Sequence, residues 1–369
     1  MIRILHTADL HLGSVFPEFY GQAANRRADQ LATFDRIIAL AVSRQVHLLL
    51  VAGDLFASPW PAKEVVDCVQ AGFKRLLANG ILPVILPGRS DTLRTADGVY
   101  GRNVFENVLV LDPHRLECVT LDIGGQSLHL HAGLAEGDQI VWPASDQGET
   151  AGVHVGLLHL PGVTASDGDA DRLIESVPWR NGKGGYLVAG GLHNYREWLE
   201  DGRIVGCCPG SPEGLSFAEQ GVRYCVMCCL GSGQPNIEKL PVNKRFFEEK
   251  SLDVSDFRSM KRILDMIRSF GNPDLLMRVT LTGQANMVLN TQVLQQQAAD
   301  AFCYLEINDK TPLLGSALLK KLACSDSMCS LLVRKAQAKA ACLPVAERPL
   351  LEEAVRDILE RCQPLGGDQ

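Results

Sequence analysis

Five positions in this 369-residue chain could hold divalent cations, and they fall in short segments that follow apolar runs. They are Asp9 and His11 in Asp9-Leu10-His11, Asp54 in Gly53-Asp54, and the imidazoles of His159 and His193. A further loop, Pro87-Gly88-Arg89-Ser90-Asp91, carries two charged groups and a hydroxyl. Oxygen and imidazole donors suit Mn²⁺, Fe²⁺ or Zn²⁺. Two such cations about 3.5–4 Å apart, bridged by one carboxylate, activate water and neutralise phosphoryl oxygens during phosphoester hydrolysis. An Asp-x-His leaving a buried strand turns two ligands toward one point. A second Asp on the neighbouring strand end is placed to bridge.

The elements that must position these groups are legible in the hydrophobic pattern. Residues 2–7, 46–52 and 81–86 read as buried strands, separated by helical patterns over 29–44 and 65–79. This βαβαβ series predicts a sheet covered by helices, with function at the carboxyl ends of its strands. From residue 108 to 230 the chain reads as strands with short turns, which implies a second sheet packed on the first. Residues 135–152 and 180–185 read as loops. The charged stretch 243–250 (NKRFFEEK) marks a junction, followed by a small strand–helix–strand–helix–strand unit and a helical tail ending in an amphipathic helix over 350–361.

Taken in order, these segments resemble the SbcD-type DNA repair exonucleases of the calcineurin-like metallophosphoesterase superfamily. The residues that carry the resemblance are Thr7-Ala8-Asp9-Leu10-His11, Gly53-Asp54-Leu55-Phe56, Pro87-Gly88-x-x-Asp91, Gly156-Leu-Leu-His159, Gly190-Gly191-Leu192-His193, Cys208-Pro-Gly-Ser-Pro212 and Phe217-Ala-Glu219. The resemblance covers about residues 1–240. It implies an α/β fold, a two-sheet β-sandwich flanked by helices. The implied domains are a nuclease-like domain over 1–245, an α/β DNA-capping domain over 246–310 and a helical C-terminal region over 311–369 for partner docking. It also implies Mn²⁺ or another divalent cation, DNA as substrate, an SbcC-type coiled-coil ATPase as partner, and a homodimer.

Carried over by residue, the first cation keeps Asp9, His11, Asp54 and His193, and the second keeps Asp54 and His159. The family's loop Gly-Asn-His-Asp is Gly88-Arg89-Ser90-Asp91 here. Its Asn ligand is Arg89, its catalytic His is Ser90, and Asp91 is left without the His it would orient. The first His of the family's Gly-His-x-His is Gly191, and Ala57 stands where many relatives are polar. Arg89 adds a fixed positive charge at the second locus, where it is expected to repel a cation and pair with Asp54 or Asp91. A variant with Asn, His and His at positions 89, 90 and 191 that gains cleavage would support a scaffold that has lost cutting. The competing readings are a one-cation or impaired DNA phosphodiesterase, a non-cutting scaffold subunit that binds DNA and the ATPase, and a small-phosphoester phosphatase.

Composition limits the rest. A net charge of −7 argues against a surface coated with basic residues for wrapping nucleic acid. No apolar run reaches membrane-span length, which predicts a cytoplasmic protein without a membrane partner. Twelve cysteines in a chain without a leader are expected to be reduced. Cys225 and Cys228 in one strand point to opposite faces, which disfavours a zinc pair. His129 and His131, on one strand face, are read as structural.

Overall fold

A computed structural model describes residues 1–19, 21–136, 139–143, 151–160, 177, 185–231, 234–313 and 328–362. The loop expected over 180–185 lies outside these residues except at Gly185. The chain divides into two compact units, Met1–Phe246 and Phe247–Gln369.

In the first unit β1 (Ile2–Thr7), β2 (Leu48–Ala52) and β3 (Leu82–Leu86) pair in parallel. The helices α1 (Ala23–Ser43) and α2 (Lys63–Ala78) connect them. β4 (Leu109–Val110) extends the sheet beside β3. On the other side β13 (Tyr224–Leu230) and β14 (Asn236–Pro241) complete the order β14-β13-β1-β2-β3-β4. A second six-stranded sheet runs β11-β12-β10-β9-β6-β5, from β5 (Cys118–Ile123) and β6 (Gln126–Ala132) through β9 (Val153–His159) and β10 (Gly185–Gly190) to β11 (Arg196–Glu200) and β12 (Arg203–Cys208). Part of the segment expected to be a loop over 135–152 is instead a short hairpin of β7 (Leu134–Glu136) and β8 (Gln139–Val141).

The side-chain alternation of the first sheet explains the layering. Ile4, Leu48, Leu50, Val84 and Val226 point to the second sheet and meet Leu130, Val155, Leu157 and Val188. Leu5, Leu49, Val51 and Ile85 point the other way, onto Phe34, Ile37 and Ile38 of α1 and Val69 and Phe73 of α2. Strands buried on both faces read as continuous apolar runs, as these do. Cys225 packs into the helix-side core and Cys228 into the inter-sheet core. Stacking the two sheets brings the ends of β1, β2 and β3 against the ends of β9 and β10.

In the second unit β15 (Phe246–Asp253), β16 (Asn272–Thr282) and β17 (Phe302–Asp309) form a three-stranded sheet with α3 (Met260–Ser269) and α4 (Thr291–Ala298). α5 (Met328–Cys342) and α6 (Arg348–Cys362) pack through Val333, Ala336, Val355 and Leu359. Arg356 Nε is 2.7 Å from Asp309 Oδ2 at the end of β17, so α6 belongs to this compact unit. No helix among the described residues is long and apolar enough to cross a membrane.

Candidate metal centre

The chain leaves β1 and β2 in a conformation few side chains adopt. Asp9, His11 and Asp54 all have positive φ, at 52°, 44° and 49°. Each costs about 1–2 kcal/mol, so the surroundings must hold them. Backbone bonds do part of this: Asp9 N donates to Gly53 O at 3.1 Å and His11 N to Asp54 O at 2.9 Å. Gln30, buried on α1, does the rest, its Nε2 donating to the carbonyls of Leu10 (3.2 Å) and His11 (3.0 Å). Gly53 permits the crossing, because a Cβ there would fall on the ring of His159.

Two groups of donor atoms converge in the cleft: Asp9, His11 and His193, and Asp9, Asp54 and His159, each set within 4.8 Å. All five sequence-predicted ligands are therefore brought together, with Asp9 common to both groups. His11 Nε2 is buried, makes no hydrogen bond, and stands 3.4 Å from Asp54 Oδ2. A buried imidazole nitrogen without a hydrogen bond among the described residues, beside a carboxylate, fits a cation between them. His159 Nε2 lies 3.3 Å from Asp9 Oδ1 and 3.5 Å from Asp54 Oδ2.

The environment sets the protonation of these imidazoles. Burial pushes His11 below the usual histidine range despite the attraction of Asp54 and Asp9. Burial acts the same way on His159, but the hydrogen bond to Asp9 and the charges of Asp54 and Asp9 outweigh it and raise the value. His193 is raised chiefly by its hydrogen bond to Glu219, 2.8 Å from Nδ1 to Oε1. Burial would raise Glu219, yet His193, Ser211 and the Leu215 amide hold it below the usual carboxylate range. An ionised Glu219 accepts a hydrogen bond from Nδ1–H and leaves Nε2 of His193 to face Asp9 and His11. Carboxylate–histidine pairing of this kind orients metal ligands. Glu219 was legible only as part of the Phe-Ala-Glu element, and Gln30 only as a polar residue on the otherwise apolar buried stripe of α1.

The loop after β3 differs from its sequence reading in three respects. Arg89 is exposed and makes no hydrogen bond or ion pair among the described residues, so it pairs with neither Asp54 nor Asp91. An outward guanidinium keeps its hydration, whereas one placed between two buried carboxylates loses it. Ser90 takes the inner position: its amide donates to Asp54 Oδ1 at 2.7 Å and its hydroxyl to Oδ2 at 3.0 Å. Asp91, fully buried, does not lack partners. It accepts from Gly88 N (2.8 Å), Phe56 N (3.1 Å) and the Tyr100 hydroxyl (2.8 Å). Burial, then the charge of Asp54, pushes its carboxyl up to about 6.

Gly191, where the family pattern has a histidine, contributes its backbone instead. Its amide donates to both oxygens of Asp9 at 2.9 Å, with φ at +87°. His129, His131 and His154 lie elsewhere: His129 and His131 on β6, His154 on β9. His154 Nδ1 is 3.0 Å from His131 Nε2, and its ring stacks on those of His129 and His131.

The chain is 24% identical over 318 residues to the DNA double-strand break repair protein Mre11 of Haloferax volcanii, a match covering 84% of this chain and 68% of that protein. It is 31% identical over 110 residues to the SbcD component of the SbcCD nuclease of Escherichia coli K12, covering 30% of this chain and 26% of that protein. A dimetal phosphatase from Danio rerio aligns over 66% of this chain and 98% of its own, at 10% identity and a TM-score of 0.39. The calcineurin-like phosphoesterase profile matches residues 2–195, which include Asp9, His11, Asp54, His159 and His193. The chain belongs to the calcineurin-like phosphoesterase family.

Proposed function

We propose that this protein is a metal-dependent DNA phosphodiesterase, an SbcD-like repair-nuclease homologue with an altered second cation locus. The observation that carries this reading is the convergence of Asp9, His11 and His193, beside Asp9, Asp54 and His159, in one cleft at the strand ends. A divalent cation, with Mn²⁺ the proposed ion, supplies Lewis-acid activation of water and charge neutralisation on a phosphate. Asp9, His11, Asp54 and His193 would hold it, with Glu219 fixing the tautomer of His193 and Gln30 fixing the Asp9–His11 turn. Arg89, exposed on the loop after β3, is proposed to meet a phosphate oxygen of a bound strand. The second unit is proposed to cap the DNA and, through α5 and α6, to dock an SbcC-type ATPase. Cytoplasmic location and a homodimer belong to the same reading.

A second reading is favoured by Ser90. Where the family carries an imidazole that acts as an acid, this chain has a hydroxyl already committed to Asp54. Loss of general acid catalysis typically costs about 10²–10⁴-fold in rate. A scaffold that binds DNA and the ATPase without cutting tolerates that loss. Bound metal by elemental analysis, with Mn²⁺-dependent digestion of linear DNA by wild type and Asp54→Asn, separates the two. Bound Mn²⁺ with cleavage abolished by the substitution supports the enzyme. Bound Mn²⁺ without cleavage supports the scaffold, and absence of bound cation at millimolar Mn²⁺ overturns the metal-dependent reading.

A further inference from the structure

Asp54 is the carboxylate that the family pattern makes common to two cations, and one neighbour donates to both of its oxygens. Ser90 donates its amide to Oδ1 at 2.7 Å and its hydroxyl to Oδ2 at 3.0 Å. The loop is pressed onto the carboxylate: a Cβ on Gly88 would come within 2.8 Å of Asp54 Cγ. Asp91 holds the loop there, accepting from the amides of Gly88 and Phe56 on its two sides. Oδ2 also faces His11 Nε2 at 3.4 Å and His159 Nε2 at 3.5 Å. It is therefore the oxygen that faces both histidines.

Each carboxylate oxygen offers two lone-pair sites. With the Ser90 amide on Oδ1 and its hydroxyl on Oδ2, one direction remains on Oδ2 for the histidine-lined cleft. One cation can use it. Two cannot without displacing the hydroxyl. Asp9, common to both donor groups, keeps a free direction on each oxygen beside the Gly191 amide, so the clasp acts on the Asp54 bridge alone.

We propose that Ser90 is a hydroxyl clasp on Asp54, a positioning residue that keeps the centre mononuclear by filling the direction a second cation would take. The clasp supplies a neutral donor where a dinuclear centre supplies a charge. It also leaves Asp54 oriented before any cation arrives, since its fixed partners are protein atoms. This inference rests on the metal-binding reading above and concerns the number of cations, not their presence.

The test counts Mn²⁺ on the full chain by titration calorimetry, and reads coupling between ions by electron paramagnetic resonance. Wild type is expected to bind one Mn²⁺ tightly with an uncoupled spectrum. Ser90→Ala removes the hydroxyl and is expected to strengthen a second ion by about ten- to a hundredfold, the worth of a hydrogen bond to a charged group, with a coupled spectrum. Ser90→Thr, which keeps the hydroxyl, is expected to behave as wild type. Should the alanine variant fail to fold, Ser90→Cys, whose thiol is a weak donor, must show the same gain. Two tight coupled ions in wild type overturn the proposal, as does a single ion in the hydroxyl-free variant. No ion in wild type overturns the metal-binding reading itself and the clasp with it.

Discussion

Gly191 makes the sharpest demand on the backbone of the cleft, and its replacement by alanine can be worked through from the structure. At φ +87° a residue with a Cβ costs about 1–2 kcal/mol more than glycine. The added Cβ would also fall on the Leu160 carbonyl, 2.8 Å from its carbon and 3.0 Å from the Leu160 amide nitrogen. Both neighbours are backbone, tied by Leu160 N donating to Gly190 O at 2.9 Å, so neither can rotate away. Overpacking of this kind costs about 1–3 kcal/mol. Moving Gly191 to relieve it weakens the bond from its amide to buried Asp9, worth about 1.5–3 kcal/mol because the acceptor is charged. The expected loss is about 4 kcal/mol or more, a large share of the roughly 5–15 kcal/mol that stabilises a typical domain. Gly202→Ala is the control, with φ at +74° and nothing within 4 Å of the new Cβ. It should lose only the backbone share. Guanidinium denaturation of both variants decides: equal losses would refute the close approach of Leu160. The same reasoning applies to the substitution that follows the family pattern. A histidine at 191 carries the same Cβ, so the change that best matches the family pattern should destabilise the chain before it supplies a ligand.

Other consequences are checked more briefly. Glu219→Gln leaves the shape but removes the ionised acceptor that fixes His193, and should weaken Mn²⁺ binding by about 10–100-fold in calorimetry; an unchanged affinity would show that the pair does not orient the ligand. Arg89→Ala should change stability by no more than about 0.5 kcal/mol and Mn²⁺ affinity by less than about twofold, since the guanidinium touches neither carboxylate; a tenfold gain would return Arg89 to the centre. His6, wholly buried against the Tyr186 hydroxyl, is pushed down to about 3 by burial. Its folded form stays neutral while the unfolded chain takes up a proton below about pH 6.5. Stability is therefore lost as pH falls from 6.5 toward 3, by about 2 kcal/mol at pH 5 from this residue. Denaturation at pH 7 and pH 5 should show a smaller drop for His6→Gln, and an identical drop would exclude His6 as the cause.

The two-sheet fold and the five converging donor residues were legible because strand ends and these donors occupy the same short segments. Apolar runs such as Leu48–Ala52 are buried on both faces, so pattern and structure coincide. Where one face is wet the pattern weakens. β15 begins at Phe246 inside a stretch that reads as a charged junction, because Phe247 is its one buried residue and residues 249–251 are exposed. The helix α1 begins at Ala23, six residues before the helical pattern read over 29–44. Its first turns bury Arg26 and Asp29 instead, in ion pairs with each other and with Glu213 and Arg245. Such pairings join residues distant in the chain, and no local pattern announces them.

The altered loop shows the same limit from the chemical side. Sequence can count absent groups, and at the second locus it counts two absent ligands and one absent catalytic imidazole. It cannot tell whether those positions become empty or acquire other partners. The structure gives each of them a defined role or a defined absence of one: Ser90 is bound to Asp54, Gly191 is bound to Asp9 through its amide, and Arg89 faces solvent. These differ in how reversible they are. A hydroxyl can be removed by one substitution without backbone change, whereas the Gly191 amide is locked by φ and by Leu160. Recovery of a second cation should therefore start from position 90 and leave position 191 as glycine. An Arg89→Asn, Ser90→His pair on the native Gly191 background should bind more Mn²⁺ than wild type in the calorimeter and keep wild-type stability. The triple variant that adds Gly191→His should lose stability and bind no more. If the triple variant instead binds best and melts normally, Leu160 is not the obstacle and the argument from backbone approach fails.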